Sequence, residues 1–129
     1  MRTNLVLMIA VAVVVAACGS SKPTAMAVCK KLEAEGVASN CREDKPGGLG
    51  AAAVERAQFD LPSVPGEGGA IMRFDREEFY SSTEDAFGKA AMLAGPHRYG
   101  SKKALIFVQM NEGASLDVGK KTKAVVEAL

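Results

Sequence analysis

The chain has 129 residues with 16 Lys and Arg, 15 Asp and Glu, and 48% hydrophobic residues. This length suits one domain at most. The formal net charge of +1 argues against a nucleic-acid binder, which is expected to carry a clustered basic excess, and the apolar fraction argues against disorder. No period repeats along the chain, which excludes collagen, coiled-coil and solenoid architectures.

The N-terminal segment has the pattern of a signal peptide. Arg2 precedes an uncharged apolar run of 13 residues, 5–17, which is within the ~7–15 residues of a signal-peptide core and shorter than the ~20 that span a bilayer. The run ends in Val15-Ala16-Ala17-Cys18. This motif resembles the lipobox of bacterial lipoproteins, which is read as aliphatic, small, small, Cys.

The resemblance implies that residues 1–17 are removed and that the Cys18 thiol carries a diacylglyceryl group, usually with an acylated amine. Several acyl chains together anchor a protein stably. The small, polar residues 18–23 are then a short tether, and localisation is the cell envelope. Gly19 stands where an inner-membrane retention signal would have Asp, which favours the outer membrane in a Gram-negative cell. The alternative is a secreted protein or an uncleaved anchor.

Two cysteines remain once Cys18 carries lipid. Exported thiols in an oxidising compartment form disulfides, so we predict a Cys29–Cys41 bond. A metal site is not expected, because the two cysteines are far apart in sequence and the chain has a single His. Without Arg2, 15 basic residues balance 15 acidic ones, which predicts no polybasic membrane patch.

The first half of the predicted domain, which spans residues 24–129, contains a helix and two strands. Thr24 is a candidate N-cap for a helix that ends near Glu35, and Gly36 suits the left-handed position that follows. Residues 42–50 are predicted as a loop. Alternation of apolar and polar residues predicts strands over 53–61 and 70–75. These lie on either side of a Pro- and Gly-rich connection.

The second half contains a helix, a strand and a final helix. A helix is predicted from Asp75 to about residue 94, with a local weakening at residues 81–83 and an apolar stripe through Phe79. A turn at 97–101 leads to a central strand over 104–110, and a last helix begins near Ser115. The elements predict an α+β domain in the order α-β-β-α-β-α, with helices on a three-stranded, mostly antiparallel sheet.

Catalytic and cofactor motifs are absent from the sequence. It lacks a Walker loop, a dinucleotide fingerprint, a GxSxG elbow and an HExxH pair. His97 can be placed in a Ser-His-Asp triad on paper, but so can the His of any chain of this size. We therefore predict no cofactor, no metal and no nucleic-acid partner.

One local cluster suggests a binding site for an anionic ligand or a protein partner. It comprises His97, Arg98, Tyr99, Lys102 and Lys103, which lie between a predicted helix end and the central strand. The alternative is structural: His97 and Tyr99 cap the helix and pack on the core, while the cations cover a strand edge.

Two other charged groups have the same two interpretations. The acids Asp75, Glu77 and Glu78 resemble a carboxylate cluster, but acids in a first helical turn are favoured by the helix dipole. The basic run 120–123 could contact anionic headgroups, or it is the solvated face of an amphipathic helix.

The function predicted from these observations is a membrane-anchored envelope lipoprotein with a non-enzymatic binding or assembly role. The alternative is an inhibitor or immunity-type lipoprotein that blocks a secreted hydrolase. An enzyme that depends on His97 is the least supported class.

Overall fold

The computed structural model describes residues 21–129, and the predicted signal peptide, lipobox and Cys18 lie outside the described residues. The elements in chain order are α1 (Ala25–Ala34), β1 (Ser39–Asp44), a 3-10 helix (Gly48–Gly50), β2 (Glu55–Asp60), β3 (Gly68–Arg73), α2 (Glu77–Lys89), α3 (Ala91–Ala94), β4 (Arg98–Ser101), β5 (Ile106–Met110) and α4 (Leu116–Glu127). Within the described range, none of the helices has the length and apolar character needed to cross a bilayer.

The five strands form one antiparallel sheet in the order β1-β2-β3-β5-β4. Helices α1 and α4 pack on the first face of this sheet, and α2 packs on the second. The predicted α+β class and antiparallel sheet are confirmed. The predicted three strands are wrong, because the sheet has two further strands at its edges.

Both missed strands lack the apolar alternation that identifies a half-buried strand. β1 has the sequence SNCRED and enters the segment predicted as a loop. Its pairing with β2 depends on long-range contacts, including ion pairs from Arg42 to Asp60 and from Arg56 to Asp44. β4 has four residues, RYGS, in the predicted turn, and forms a hairpin with β5.

Helix α1 begins and ends as the sequence predicts. The Thr24 hydroxyl accepts a hydrogen bond from the Ala27 N–H, and Gly36 follows the C-cap at φ +73°. The Val37 N–H donates to the Leu32 carbonyl at 2.9 Å, which completes a Schellman motif.

The predicted disulfide joins α1 to β1. Cys29 is fully buried in α1, and its Cα lies 6.0 Å from that of Cys41. A β-bulge between Ser39 and Arg42, with Asn40 at φ +52°, shifts the register of β1. The bulge lets Cys41 face α1 while Arg42 pairs with Gln58 on the second face.

The main core lies between the first face and helices α1 and α4. Its largest fully buried side chains are aromatic or branched aliphatic, with Met110 among them. They include Val28, Leu32, Phe59, Ile71, Ile106, Val108 and Val126. A smaller cluster on the second face consists of Ala53, Met72, Phe74, Tyr80, Leu105 and Phe107. β5 is therefore buried on both faces, as its apolar run predicts.

Helix α2 departs from the prediction in three ways. Its N-cap is Arg76 rather than Asp75, and no side chain caps it. Phe79 is 37% exposed, whereas its neighbour Tyr80 is 2% exposed and packs in the smaller cluster. The Arg76 guanidinium carbon lies 5.0 Å from the centre of the Phe79 ring. The helix continues through residues 81–83. It is interrupted instead at Ala90, and α3 begins at the next residue.

Candidate functional site

Helix α2 covers one end of the second face and leaves the other end open. Pairing places Arg42 opposite Gln58, Gln58 opposite Ala70, and Ala70 opposite Gln109. These four residues form a row across the sheet, and they line a concave region of about 570 Å³. We call this row the open face.

The charge of Arg42 in the open face is neutralised by Asp60. Arg42 Nη1 donates to Asp60 Oδ1 at 3.0 Å, and Asn40 Nδ2 donates to Asp60 Oδ2 at 2.9 Å. The hydrogen bonds from Asn40 and Arg42 hold the pKa of the Asp60 carboxyl below its usual value. The open face therefore presents no unpaired carboxylate at this position.

The two glutamines of the row offer amide groups to a ligand. Gln58 makes no side-chain hydrogen bond to any described residue and is half-buried. Gln109 Nε2 donates to the carbonyls of Ala94 and Met110, both at 2.9 Å, which leaves its Oε1 as an acceptor. Ala70 lies between them, and its small side chain leaves a depression in the middle of the row.

An apolar groove of about 350 Å³ continues from the open face toward helices α2 and α3. Its walls are the apolar side chains of Leu49, Met72, Phe87 and Leu93. Leu93 is 94% exposed, so α3 presents an uncovered apolar side chain to the groove. We define the apolar groove by the side chains of Leu49, Met72, Phe87 and Leu93.

Arg56 is the one charged residue among the described residues that line the apolar groove. Its Nε lies 3.3 Å from Asp44 Oδ2, but the N–H is not aligned for a hydrogen bond, and this buried atom has no partner within the described range. The guanidinium is therefore ion-paired with Asp44 and makes no hydrogen bond within that range. Arg56, Ala70 and Gln109 line both the open face and the apolar groove.

The cluster predicted around the single histidine is divided between the two faces. His97 is 4% exposed, and its Nε2 lies 2.7 Å from the Ala114 carbonyl, which can only accept. The ring therefore carries its proton on Nε2, and in the neutral form Nδ1 accepts from the Tyr99 hydroxyl at 3.0 Å. Burial raises the pKa of Tyr99. Both side chains pack under Gly119 of α4.

The three cations of that cluster lie elsewhere. Arg98 points to the second face, where its Nη1 donates to the Phe87 carbonyl at 3.0 Å and supports the end of α2. Lys102 pairs with Glu77 at 2.8 Å. Lys103 is exposed in the β4–β5 turn. The structure thus brings His97 and Tyr99 together and places the cations apart from them.

The other charged groups are in exposed positions on helices. Glu77 and Glu78 are in the first turn of α2, where Glu78 pairs with Arg76 at 2.8 Å. Asp75 is exposed just before this helix. The basic residues 120, 121 and 123 are exposed along α4, which fits a solvated helix face.

Within residues 21–129, no three His, Cys, Asp or Glu side chains are grouped so that they could hold a metal ion. Cys29 and Cys41 are used by the disulfide. The chemical groups that line the open face and the groove are amides, guanidinium groups, apolar side chains and the carboxylates of Asp60 and Glu67.

Sequence reasoning did not identify Arg42, Arg56, Gln58 and Gln109 as site residues. The alternation along β2 does place Arg56 and Gln58 on one side of the strand, away from the main core. Their alignment with Arg42 and Gln109 depends on the strand order, which one sequence does not display.

No protein-family model, curated protein sequence or solved structure matches this chain.

Proposed function

We propose that the protein is a lipid-anchored binding domain of the bacterial cell envelope, and that its open face binds an extended polypeptide segment of a partner protein. The observation that carries this proposal is the row of Arg42, Gln58, Ala70 and Gln109, which crosses the end of the second face that helix α2 leaves uncovered. A face that a fold leaves concave and uncovered is where a ligand is expected.

The chemistry of the open face suits a polypeptide. The side-chain amides of Gln58 and Gln109 have the same donor and acceptor groups as a peptide backbone. Arg42 and Asp60 neutralise each other, so the row does not require a highly charged ligand. Phe59 is the one aromatic residue among the described residues lining this region, and it is 1% exposed within the main core. A sugar would therefore find no aromatic ring on which to stack.

The lipobox supports the location in the envelope. Cys18 is six positions before Thr24, the N-cap of α1, and a fully extended chain of this length spans about 20 Å. An anchored domain would thus remain within about 20 Å of the membrane surface, where it would meet envelope proteins rather than freely diffusing ones.

The proposal is tested with a photo-crosslinking amino acid at position 58 in intact cells. The matched control places the same amino acid at Lys121, which is exposed on α4 on the opposite side of the sheet. We expect a discrete product from position 58 alone. The same product should be lost when Ala70→Trp fills the depression, while the thermal unfolding of the variant stays close to wild type.

Equal products from both positions, or a product that survives both Ala70→Trp and Ala70→Leu, would contradict binding at the open face. The identity of the crosslinked protein separates the two functions predicted from the sequence. A secreted hydrolase that loses activity when the purified protein is added would favour the inhibitor function over a binding or assembly role.

A further inference from the structure

We infer that the apolar groove receives one large, uncharged apolar side chain of the polypeptide that lies on the open face. This inference rests on the proposed function and deepens it, because it takes the groove to be a specificity pocket of the same binding site. It adds what the partner segment must carry: an aliphatic or aromatic residue within the bound stretch.

The open face and the apolar groove are neighbouring parts of one sheet surface. Gln58, Ala70 and Gln109 lie opposite one another in the row of the open face, and Arg56 lies opposite Met72 in the next row of the same face. Two residues of a strand span about 7 Å. A polypeptide that crosses the depression at Ala70 therefore has a side chain within reach of Met72 in the groove.

The walls of the groove favour an apolar occupant. Leu93 is 94% exposed and Leu49 is 46% exposed, so both side chains leave apolar surface in contact with water. Met72 from the sheet and Phe87 from α2 line the same groove. Removal of apolar surface from water is the main favourable term in most protein association. A leucine or phenylalanine side chain among these four residues would supply that term.

The groove offers no free charge to a ligand. Arg56 is the one charged residue among the described residues that line it, and its Nε lies 3.3 Å from Asp44 Oδ2. A ligand carboxylate would have to compete with Asp44 for the guanidinium, and a ligand cation would meet Arg56 as a like charge. Either charged group would also lose hydration among the apolar walls. The groove therefore favours a neutral side chain over a charged one of either sign.

The size and shape of the groove suit a side chain rather than a larger ligand. Its volume of about 350 Å³ is at the lower end of the roughly 300–1,000 Å³ of small-molecule sites. It is a surface depression rather than an enclosed cavity, so a side chain can enter while the backbone continues along the open face. Neighbouring side chains of an extended segment point to the other side, and the groove therefore selects at one position.

The probes are pools of synthetic heptapeptides with acetylated amino termini and amidated carboxyl termini, so that no terminal charge contributes. The fourth residue is fixed as Leu, Phe, Ser, Asp or Lys, and the other six positions are randomised. Retention by the purified full chain coupled to beads is measured against beads without protein. We expect the Leu and Phe pools to be retained about 10-fold more than the Ser pool, since burial of one such side chain suffices for a tenfold change. The Asp and Lys pools should be retained no more than the Ser pool.

Variants of two adjacent α3 residues assign the effect to the groove. Leu93→Glu should reduce retention of the Leu and Phe pools to that of the Ser pool, and the fold should persist because the Leu93 side chain is 94% exposed. Leu93→Lys should have the same effect, which separates the lost apolar contact from the sign of the new charge. Met92→Glu is the matched control, because Met92 is fully exposed on the same helix and does not line the groove. Its ratio of Leu to Ser retention should equal that of wild type.

Equal retention of the Leu, Phe and Ser pools by wild type would overturn the inference, while the proposed function stands if the position-58 crosslink persists. A preference that survives both Leu93 substitutions, or that Met92→Glu also abolishes, would overturn it as well. So would a wild-type dimer that Leu93→Glu converts to a monomer in sedimentation, because a second copy would then occupy the groove. Absence of the Ala70-sensitive crosslink would instead contradict the proposed function itself.

Discussion

Glu55 and Arg73 lie directly opposite each other on β2 and β3, and Glu55 Oε1 accepts from Arg73 Nη2 at 2.7 Å. The other carboxylate oxygen, Oε2, accepts from the Ala25 N–H at 3.0 Å, so one side chain connects the sheet to the first turn of α1. The hydrogen bond from Arg73 is the main reason that the pKa of Glu55 is below its ordinary value.

Glu55→Gln is expected to lower the free energy of unfolding at pH 7 by about 0.5–1 kcal/mol, a small value because the pair is about one third exposed. The folded-state pKa is below the unfolded one, so the stabilisation is present above the unfolded pKa and is lost as the pH falls through the folded pKa. Urea titrations at pH 7 and pH 3 should show a difference between wild type and variant that narrows at pH 3. Glu43→Gln, at an exposed β1 position without an ion pair among the described residues, should change little at either pH.

Removal of the disulfide should destabilise the fold. The Cys29–Cys41 bond closes a loop of 12 residues, for which chain entropy gives about 3 kcal/mol. Cys41→Ser should lower the free energy of unfolding by about this amount in denaturant titrations. Dithiothreitol should lower the wild-type midpoint similarly and leave that of Cys41→Ser unchanged. A wild-type midpoint that does not respond to reduction would contradict a stabilising role for the bond.

Two helical glycines should respond in opposite directions to alanine. A Cβ at Gly119 would lie 2.8 Å from His97 Nδ1 and 2.5 Å from the Tyr99 hydroxyl, so Gly119→Ala should destabilise the protein by about 1–2 kcal/mol. A Cβ at Gly88 would lie 3.7 Å from Arg98 Nη1, which is an ordinary van der Waals distance. Gly88→Ala should therefore stabilise by about 0.5–1 kcal/mol through helix propensity. Thermal unfolding of both variants checks this, and equal shifts would contradict close packing of α4 on His97.

The lipobox predicts a membrane-bound chain that begins at Cys18. Intact mass spectrometry of the protein from the membrane fraction should show a chain that starts at this residue and carries acyl mass. Cys18→Ser should move the protein out of the membrane fraction, because the thiol that receives the lipid is missing. An unlipidated full-length chain with three free thiols would overturn the lipoprotein prediction.

Local sequence patterns predicted the elements that bury an apolar stripe. The cap at Thr24, the left-handed Gly36 and the start of the last helix near Ser115 agree with the structure, because each depends on interactions within a few residues. β2, β3 and β5 were also predicted, although each structural strand is shorter than or shifted from its predicted range.

The edge strands and the open face were not predicted, for a common reason. β1 is distorted by its bulge, and its disulfide to α1 and its ion pairs with β2 hold it in place. The disulfide and the ion pairs are contacts between residues that are distant in sequence. The row from Arg42 to Gln109 likewise forms because the strand order places β1, β2, β3 and β5 side by side. Tyr80 rather than Phe79 faces the core, because the rotation of helix α2 against the sheet depends on tertiary packing that periodicity alone does not determine.

The bulge at Asn40 also affects how neighbouring copies of the protein would interact on the membrane to which we propose that they are anchored. An open sheet has two edges, and a regular edge is a template for pairing with another chain. β1 carries charges and a distorted register, and β4 has four residues, so neither edge offers a long flat surface. If the molecules are anchored as proposed and crowded in two dimensions, they would thus resist strand-to-strand polymerisation and keep their open faces accessible.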